Sequence, residues 1–265
     1  MTLLVLRLIP WLTGKYRERQ RRAFLKVGEA MANDPRPRVL YLRSFKDDES
    51  MSRAVGLASV EQELCMTLLD FGPFVTFKGP VESTDPGAAR ISVPHARRWQ
   101  EEVKEQMAKA RLVVMRVGDS DGFWWEARQA VATVKPEQLV FWVPEGQRVY
   151  EKFSREAQEW LPCQLPPYEV AWPPLGSQGG ILYFEPDWTP HLRKFKTVWL
   201  RQTFWNLFQA TLKIGLRPVY EQLGVEWRKP PIQPVQVLYM LALVLLTLLA
   251  AYYVYTLLNR VWSGL

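Results

Sequence analysis

Gly118-Asp119-Ser120-Asp121-Gly122-Phe123-Trp124-Trp125-Glu126 joins an apolar run, Leu112 to Val117, to a helical pattern, Ala127 to Val134. The stretch is a strand-to-helix turn, with two glycines and two aspartates supplying turn chemistry. A glutamate near the start of a helix is favoured by the positive end of the helix dipole. The two tryptophans before it can wall it with apolar surface. A carboxylate against aromatic rings at the mouth of a sheet can stabilise a sugar cation. The same glutamate is also accounted for as a plain N-terminal helix residue.

The flanking sequence repeats the strand-then-helix alternation. Val39 to Leu42 predicts a buried first strand, followed by the polar loop Arg43-Ser44-Phe45-Lys46-Asp47-Asp48-Glu49 and a helix ending at Gly72-Pro73. Phe74 to Phe77 predicts the second strand. Residues 78–98 read as a long loop, a kind of segment that is often functional. Trp99, Val103 and Met107 mark the buried stripe of the next helix. Leu112 to Val117, Leu139 to Val143 and Ile181 to Phe184 predict strands three, four and five, the last at an edge. This alternation implies an α/β fold, a five-stranded parallel sheet with helices on both faces. A flavodoxin-like order, 2-1-3-4-5, puts the switch point between strands one and three. The loops at Arg43 and at Gly118 then face one another across the ligand-binding crevice of such folds.

Charge is unevenly distributed. Residues 1–38 carry nine Lys/Arg against three Asp/Glu, residues 39–189 carry 16 against 22, and residues 190–265 carry nine against two. An acidic middle between basic ends offers nucleic acid no obvious face. Basic flanks beside apolar segments suit an anionic membrane. The two cysteines and two histidines have no metal-ligand spacing, so no metal site is expected. No Walker-type loop or Gly-x-Gly-x-x-Gly occurs.

Residues 1–37 read as a basic interfacial segment or an amphipathic helix packed on the domain. Residues 188–231 read as amphipathic helices whose stripe packs on a core or meets a membrane interface. Ile232 to Leu258 contains no Asp, Glu, Lys, Arg or His. As a helix, Val235 to Leu258 would be about 36 Å long, more than the bilayer core of about 30 Å. Residues 232–260 are therefore expected to form a single transmembrane helix. Positive-inside logic puts the main domain in the cytoplasm.

Two stretches carry a family resemblance. Val39-Leu40-Tyr41-Leu42-Arg43-Ser44-Phe45, with Asp47-Asp48 after it, resembles the first strand and loop of Toll/interleukin-1 receptor (TIR) domains. Gly122 to Glu126 resembles the TIR turn that bears an aromatic and the catalytic glutamate. The segment from Gly72-Pro73 through Gly87-Ala88-Ala89-Arg90 to Trp99 sits where TIR domains carry a long loop. The resemblance covers residues 38–187 and is nearest to bacterial membrane-anchored TIR-like proteins. It implies hydrolysis of NAD⁺ as substrate, without a further cofactor, often by oligomers assembled through the domain. Glu126 would be the catalytic carboxylate, with Arg43, Ser44, Phe45, Arg90 and Trp125 around the substrate. Many TIR domains only scaffold signalling, so a silent membrane adaptor is a second implication. Asp121-Gly122 with Glu126-Ala127 is also similar to nucleoside 2-deoxyribosyltransferases, which implies a third: ribosyl transfer or hydrolysis on free nucleosides or nucleotides.

The basic flanks generate a topology prediction. A reporter fused after Leu265 should be extracytoplasmic, and one inserted in the 162–180 loop cytoplasmic. Protease protection in the opposite sense would reverse the orientation, and a full chain soluble without detergent would remove the anchor.

Overall fold

The structure, a computed structural model, describes residues 34–44, 60–77, 89–91, 98–144, 147–169, 179–194, 207–229, 244, 247–248 and 252–256. Within residues 1–228, which form one compact unit, seven strands make a single sheet. They are β1 (Arg38–Leu42), β2 (Phe74–Phe77), β3 (Ala89–Ile91), β4 (Ala110–Arg116), β5 (Leu139–Val143), β6 (Gly180–Phe184) and β7 (Pro190–Lys194). The spatial order is β3-β2-β1-β4-β5-β6-β7. The five strands expected from sequence keep their expected order. The sheet is parallel from β3 to β5, while β6 and β7 join antiparallel.

The expectation of five parallel strands is thus corrected in three places. The loop at 78–98 contains β3, a three-residue edge strand too short to show a period. β6 is not an edge, because β7 pairs outside it. β7 escapes a search for apolar runs because it reads Pro-His-Leu-Arg-Lys. Proline opening a strand and basic side chains along it are what an exposed edge tolerates.

Six helices lie among the described residues: α1 (Val60–Leu68), α2 (Trp99–Lys109), α3 (Asp121–Thr133), α4 (Gln147–Ala157), α5 (Leu207–Gly215) and α6 (Arg217–Gln222). Alternation along the strands divides the core in two. Leu40, Leu42, Val113, Met115 and Phe141 face α2, α3 and α4 through Val103, Phe123, Ala127 and Phe153. Val39, Tyr41, Val114 and Trp142 face the opposite way, onto α1, α5 and α6 through Leu64, Leu68, Leu212, Val219 and Tyr220. Each fully buried side chain of this size stabilises by about 1.5–3 kcal/mol. The change of face is dictated by chain direction. The chain moves outward from β1 through β2 to β3, then returns to β4 and moves the other way. Right-handed crossovers must therefore cover one face first and the other afterwards. The reversal puts the switch point between β1 and β4, as expected, and folds of this plan bind ligands at the carboxyl ends of such strands.

Gly72 anchors the return to β2. Its φ is +152°, and a Cβ there would lie 2.0 Å from the Pro37 carbonyl oxygen, so only glycine lets the α1 terminus approach the strand β1 entry.

The C-terminal part of this unit corrects the boundary at residue 187. Tyr220 is fully buried; its hydroxyl donates to the Thr67 carbonyl at 2.8 Å and lies 3.1 Å from Asp70 Oδ2. Lys213 pairs with Asp70 at 2.7 Å. The helices at 207–222 are therefore sheet cover, the packing alternative of the sequence reading, and the unit runs to Arg228. Residues 1–33, Phe45 and 195–206 lie outside the described residues.

Residues 229–265 form a second unit. Its described positions, Val244, 247–248 and 252–256, are helical, and Val244, Leu248, Tyr252, Tyr253, Val254 and Tyr255 are exposed. Most of the expected transmembrane stretch lies outside the described residues, and no helix among those described is long and apolar enough to cross a membrane.

Packing of α5 and α6 against α1 has a measurable consequence. Leu216→Ala should cost about 2–4 kcal/mol through lost burial and a cavity, and Tyr220→Phe about 1–2 kcal/mol through lost hydrogen bonds. Urea denaturation of residues 1–228 reads both; unchanged midpoints would detach these helices from the core.

Candidate functional site

The turn after β4 opens α3 by a definite device. The Ser120 hydroxyl accepts from the Phe123 amide at 3.2 Å, an N-cap, and Asp121 supplies the acidic first turn. Helix α3 therefore begins at Asp121, and Glu126 stands in its second turn. The plain N-terminal reading of this glutamate is corrected: serine and aspartate already do that work.

Phe123, Ala127 and Ala130 form the buried stripe of α3. At about 100° per residue, Trp124 and Glu126 fall on opposite flanks of that stripe. Contacts fix which flank is which. Trp124 stacks on Phe153 of α4, with ring centres 6.1 Å apart and planes 11° apart. Trp125 meets Trp99 of α2 edge-on at 4.8 Å, and the Lys104 ammonium lies 5.7 Å from its ring centre. Glu126 is thus on the α2 flank, between the core stripe and Trp125.

Glu126 keeps part of its surface in contact with solvent, yet enough protein surrounds it to strip most of its hydration. Burial alone pushes its carboxyl from 4.5 up to about 8. Among the described residues no cation offsets the cost of ionising it. At neutral pH it is mainly a neutral acid.

At the crevice, β1 and β4 are in register through Leu42 and Met115. The next positions outward bring Arg43 beside Arg116. Both are more than nine-tenths buried, as is Ser44. Alternation within β4 sends Arg116 to the α1 face after Val114, while Arg43 and Ser44 lie just past the last residue of β1. Arg116 lies over Trp142, 5.1 Å from its ring centre, a cation–π arrangement.

The sequence-predicted residues fall on several elements. Glu126 and Trp125 stand on α3, on its α2 side, and Arg43 and Ser44 are buried just past the carboxyl end of β1. Arg90 is corrected from a loop to edge strand β3, opposite Thr76 and two strands away from β4; its side chain, like Phe45, lies outside the described residues. Arg116 was missed because it sits within an apolar strand. Its signal was there to use: a charge directly after the apolar run Leu112 to Met115. Among the described residues no group of His, Cys, Asp or Glu is placed to hold a metal ion. Cys65 is buried in the core and Cys163 is free and partly buried.

No protein-family model, curated protein or solved structure matches this chain.

The raised carboxyl pKa makes Glu126 a pH-dependent burden. Between about pH 4.5 and 8 the folded state holds a proton that the unfolded state has lost, so stability falls as pH rises through that window. Glu126→Gln removes the dependence. Each pH unit of the window is worth about 1.4 kcal/mol, and residual solvent contact trims the total. The glutamine variant should match wild type near pH 5 and exceed it by about 1–3 kcal/mol near pH 9, read as the difference in unfolding midpoints. A constant difference across that range would mean an ordinary, hydrated carboxylate.

Proposed function

We propose that this chain hydrolyses the N-glycosidic bond of NAD⁺ at the β1–β4 crevice, from a cytoplasmic TIR-like domain tethered to the inner membrane by residues 232–260. The observation that carries the reading is Glu126 itself: a partly desolvated carboxyl with no cation beside it among the described residues, on the helix that follows β4 and whose start is already capped. Such a group costs stability, and perturbed carboxyls of this kind concentrate at functional sites. The TIR resemblance supports the same residue. The uncharged run Ile232 to Leu258 and the exposed apolar side chains at 244, 248 and 252–255 support the tether.

The chemistry follows from charge. The nicotinamide riboside bond carries a positive ring, which draws the neighbouring carboxyl into its ionised form. As the bond to the anomeric carbon breaks, the electron pair leaves with nicotinamide and positive charge spreads over the ribose. The Glu126 carboxylate stabilises that charge where little water screens it. Water then adds to the anomeric carbon and gives up one proton to the carboxylate. The products are nicotinamide, ADP-ribose and a proton. Arg43 and Arg116, side by side over the edge of the sheet, suit the diphosphate, since guanidinium groups recognise phosphate oxygens in a fixed fork. Ser44 offers a hydroxyl just past the end of β1, and Trp125 an aromatic wall.

Nicotinamide release by clustered full-length protein tests the reading. Glu126→Gln should lose at least about 10²-fold, the scale of removing one electrostatic stabiliser. Because the ionised form acts, kcat/KM of wild type should rise with pH and level off above about 8, the value of the free enzyme. An active glutamine variant, or a flat profile from pH 6 to 9, would sink the role of Glu126. Wild type inactive even when clustered would favour the adaptor. Cleavage of free nucleosides but not of NAD⁺ would favour the deoxyribosyltransferase-like chemistry.

A further inference from the structure

The other flank of α3 carries a second concavity. A cavity of about 310 Å³ opens outside the carboxyl ends of β4 and β5, between α3 and α4. Its size is at the lower end for small-molecule sites. Glu126 is not part of its lining.

The lining divides into two chemistries. Trp124, backed by the buried Phe153 on which it stacks, makes an aromatic wall, and Val149 extends it. On the same face of α4, one turn apart, stand Arg148 and Lys152. Lys152 is bound to Asp119 at 2.5 Å, with both side chains exposed. A solvent-exposed pair of this kind is readily exchanged for another anion. The Arg116 guanidinium, turned onto Trp142, is not counted with them. An apolar aromatic wall beside two cations is complementary to one class of ligand: a flat ring that carries an acidic group. The ring stacks on Trp124 while the acid reaches Arg148 and Lys152. We propose that this cleft is a second ligand site, separate from the Glu126 crevice, for a small planar anion bearing a phosphate or a carboxylate.

Calorimetric titration of the full chain with adenosine 5′-monophosphate, with benzoate and with inorganic phosphate tests this. Either aromatic probe should bind below about 1 mM, with phosphate alone weaker, and the stronger of the two tells phosphate from carboxylate. Combined Arg148→Glu and Lys152→Met should weaken binding at least about tenfold. Trp124→Leu should do so too. Arg155→Glu, exposed on the same helix but outside the cleft, should leave binding unchanged. Glu126→Gln should leave it unchanged as well, which keeps this test independent of the glycosidic reaction. The proposal is overturned if neither aromatic probe binds below about 1 mM, or if Arg155→Glu weakens binding as much as the cleft variants do. Loss of binding in Glu126→Gln would relocate the ligand to the crevice, and would equally overturn it.

Discussion

The parallel pairing of β1 with β4 is the constraint on which the rest depends. Both strands are apolar on both faces: Val39 and Tyr41 look one way, Leu40 and Leu42 the other, with Leu112, Val114, Val113 and Met115 beside them. A strand buried twice over must be covered twice, so the chain needs helices on both faces. It reverses direction between these two strands, and right-handed crossovers turn that reversal into a change of face. The crevice is therefore a consequence of covering the core. Polar residues appear where the apolar layers end, at Arg43 and Ser44 on one strand and at Arg116 on the other.

Two arginines at the carboxyl ends of adjacent strands are each more than nine-tenths buried, and each needs partners there to offset its lost hydration. Desolvating like charges at adjacent positions opposes folding. The Trp142 face offsets part of that for Arg116. The Glu126 carboxyl, on the helix that follows β4, is partly desolvated, and burial opposes its ionisation. Buried polar groups gathered at the carboxyl end of the two central strands are a common mark of a site shaped by something other than packing.

The legible and illegible parts of this chain separate along physical lines. β1, β2, β4 and β5 were readable because central parallel strands are continuous apolar runs. β3 was not, at three residues, and β7 was not, because edge strands carry the proline and charge that interior strands exclude. The helices at 207–222 showed an apolar stripe that the sequence could assign either to a core or to a membrane interface. Tyr220 reaching Thr67 across the fold decides for the core, and a contact between residues so far apart in the chain leaves no local pattern. At the site, Glu126 and the end of β1 could be named from turn chemistry and resemblance. Which flank of α3 the glutamate occupies could not, because two adjacent tryptophans serve either neighbour equally well until the helices are packed.

That placement bears on what the crevice can act upon. An acid held neutral by burial is ionised only when something nearby stabilises the negative form. A neutral nucleoside brings no such charge, so for it the carboxylate must be made at the full cost of burial. A pyridinium riboside brings a positive ring directly to the bond that breaks. On the proposed reading, the same desolvation that keeps Glu126 protonated in the empty crevice favours a cationic leaving group over a neutral one. The interaction that ionises the glutamate also places its charge beneath the ribose as the positive charge migrates there. Burial would then set substrate preference and catalytic strength together, and no further cation would be wanted near Glu126. A lysine or arginine there would hold the carboxylate ionised in advance and take back the electrostatic gain reserved for the substrate.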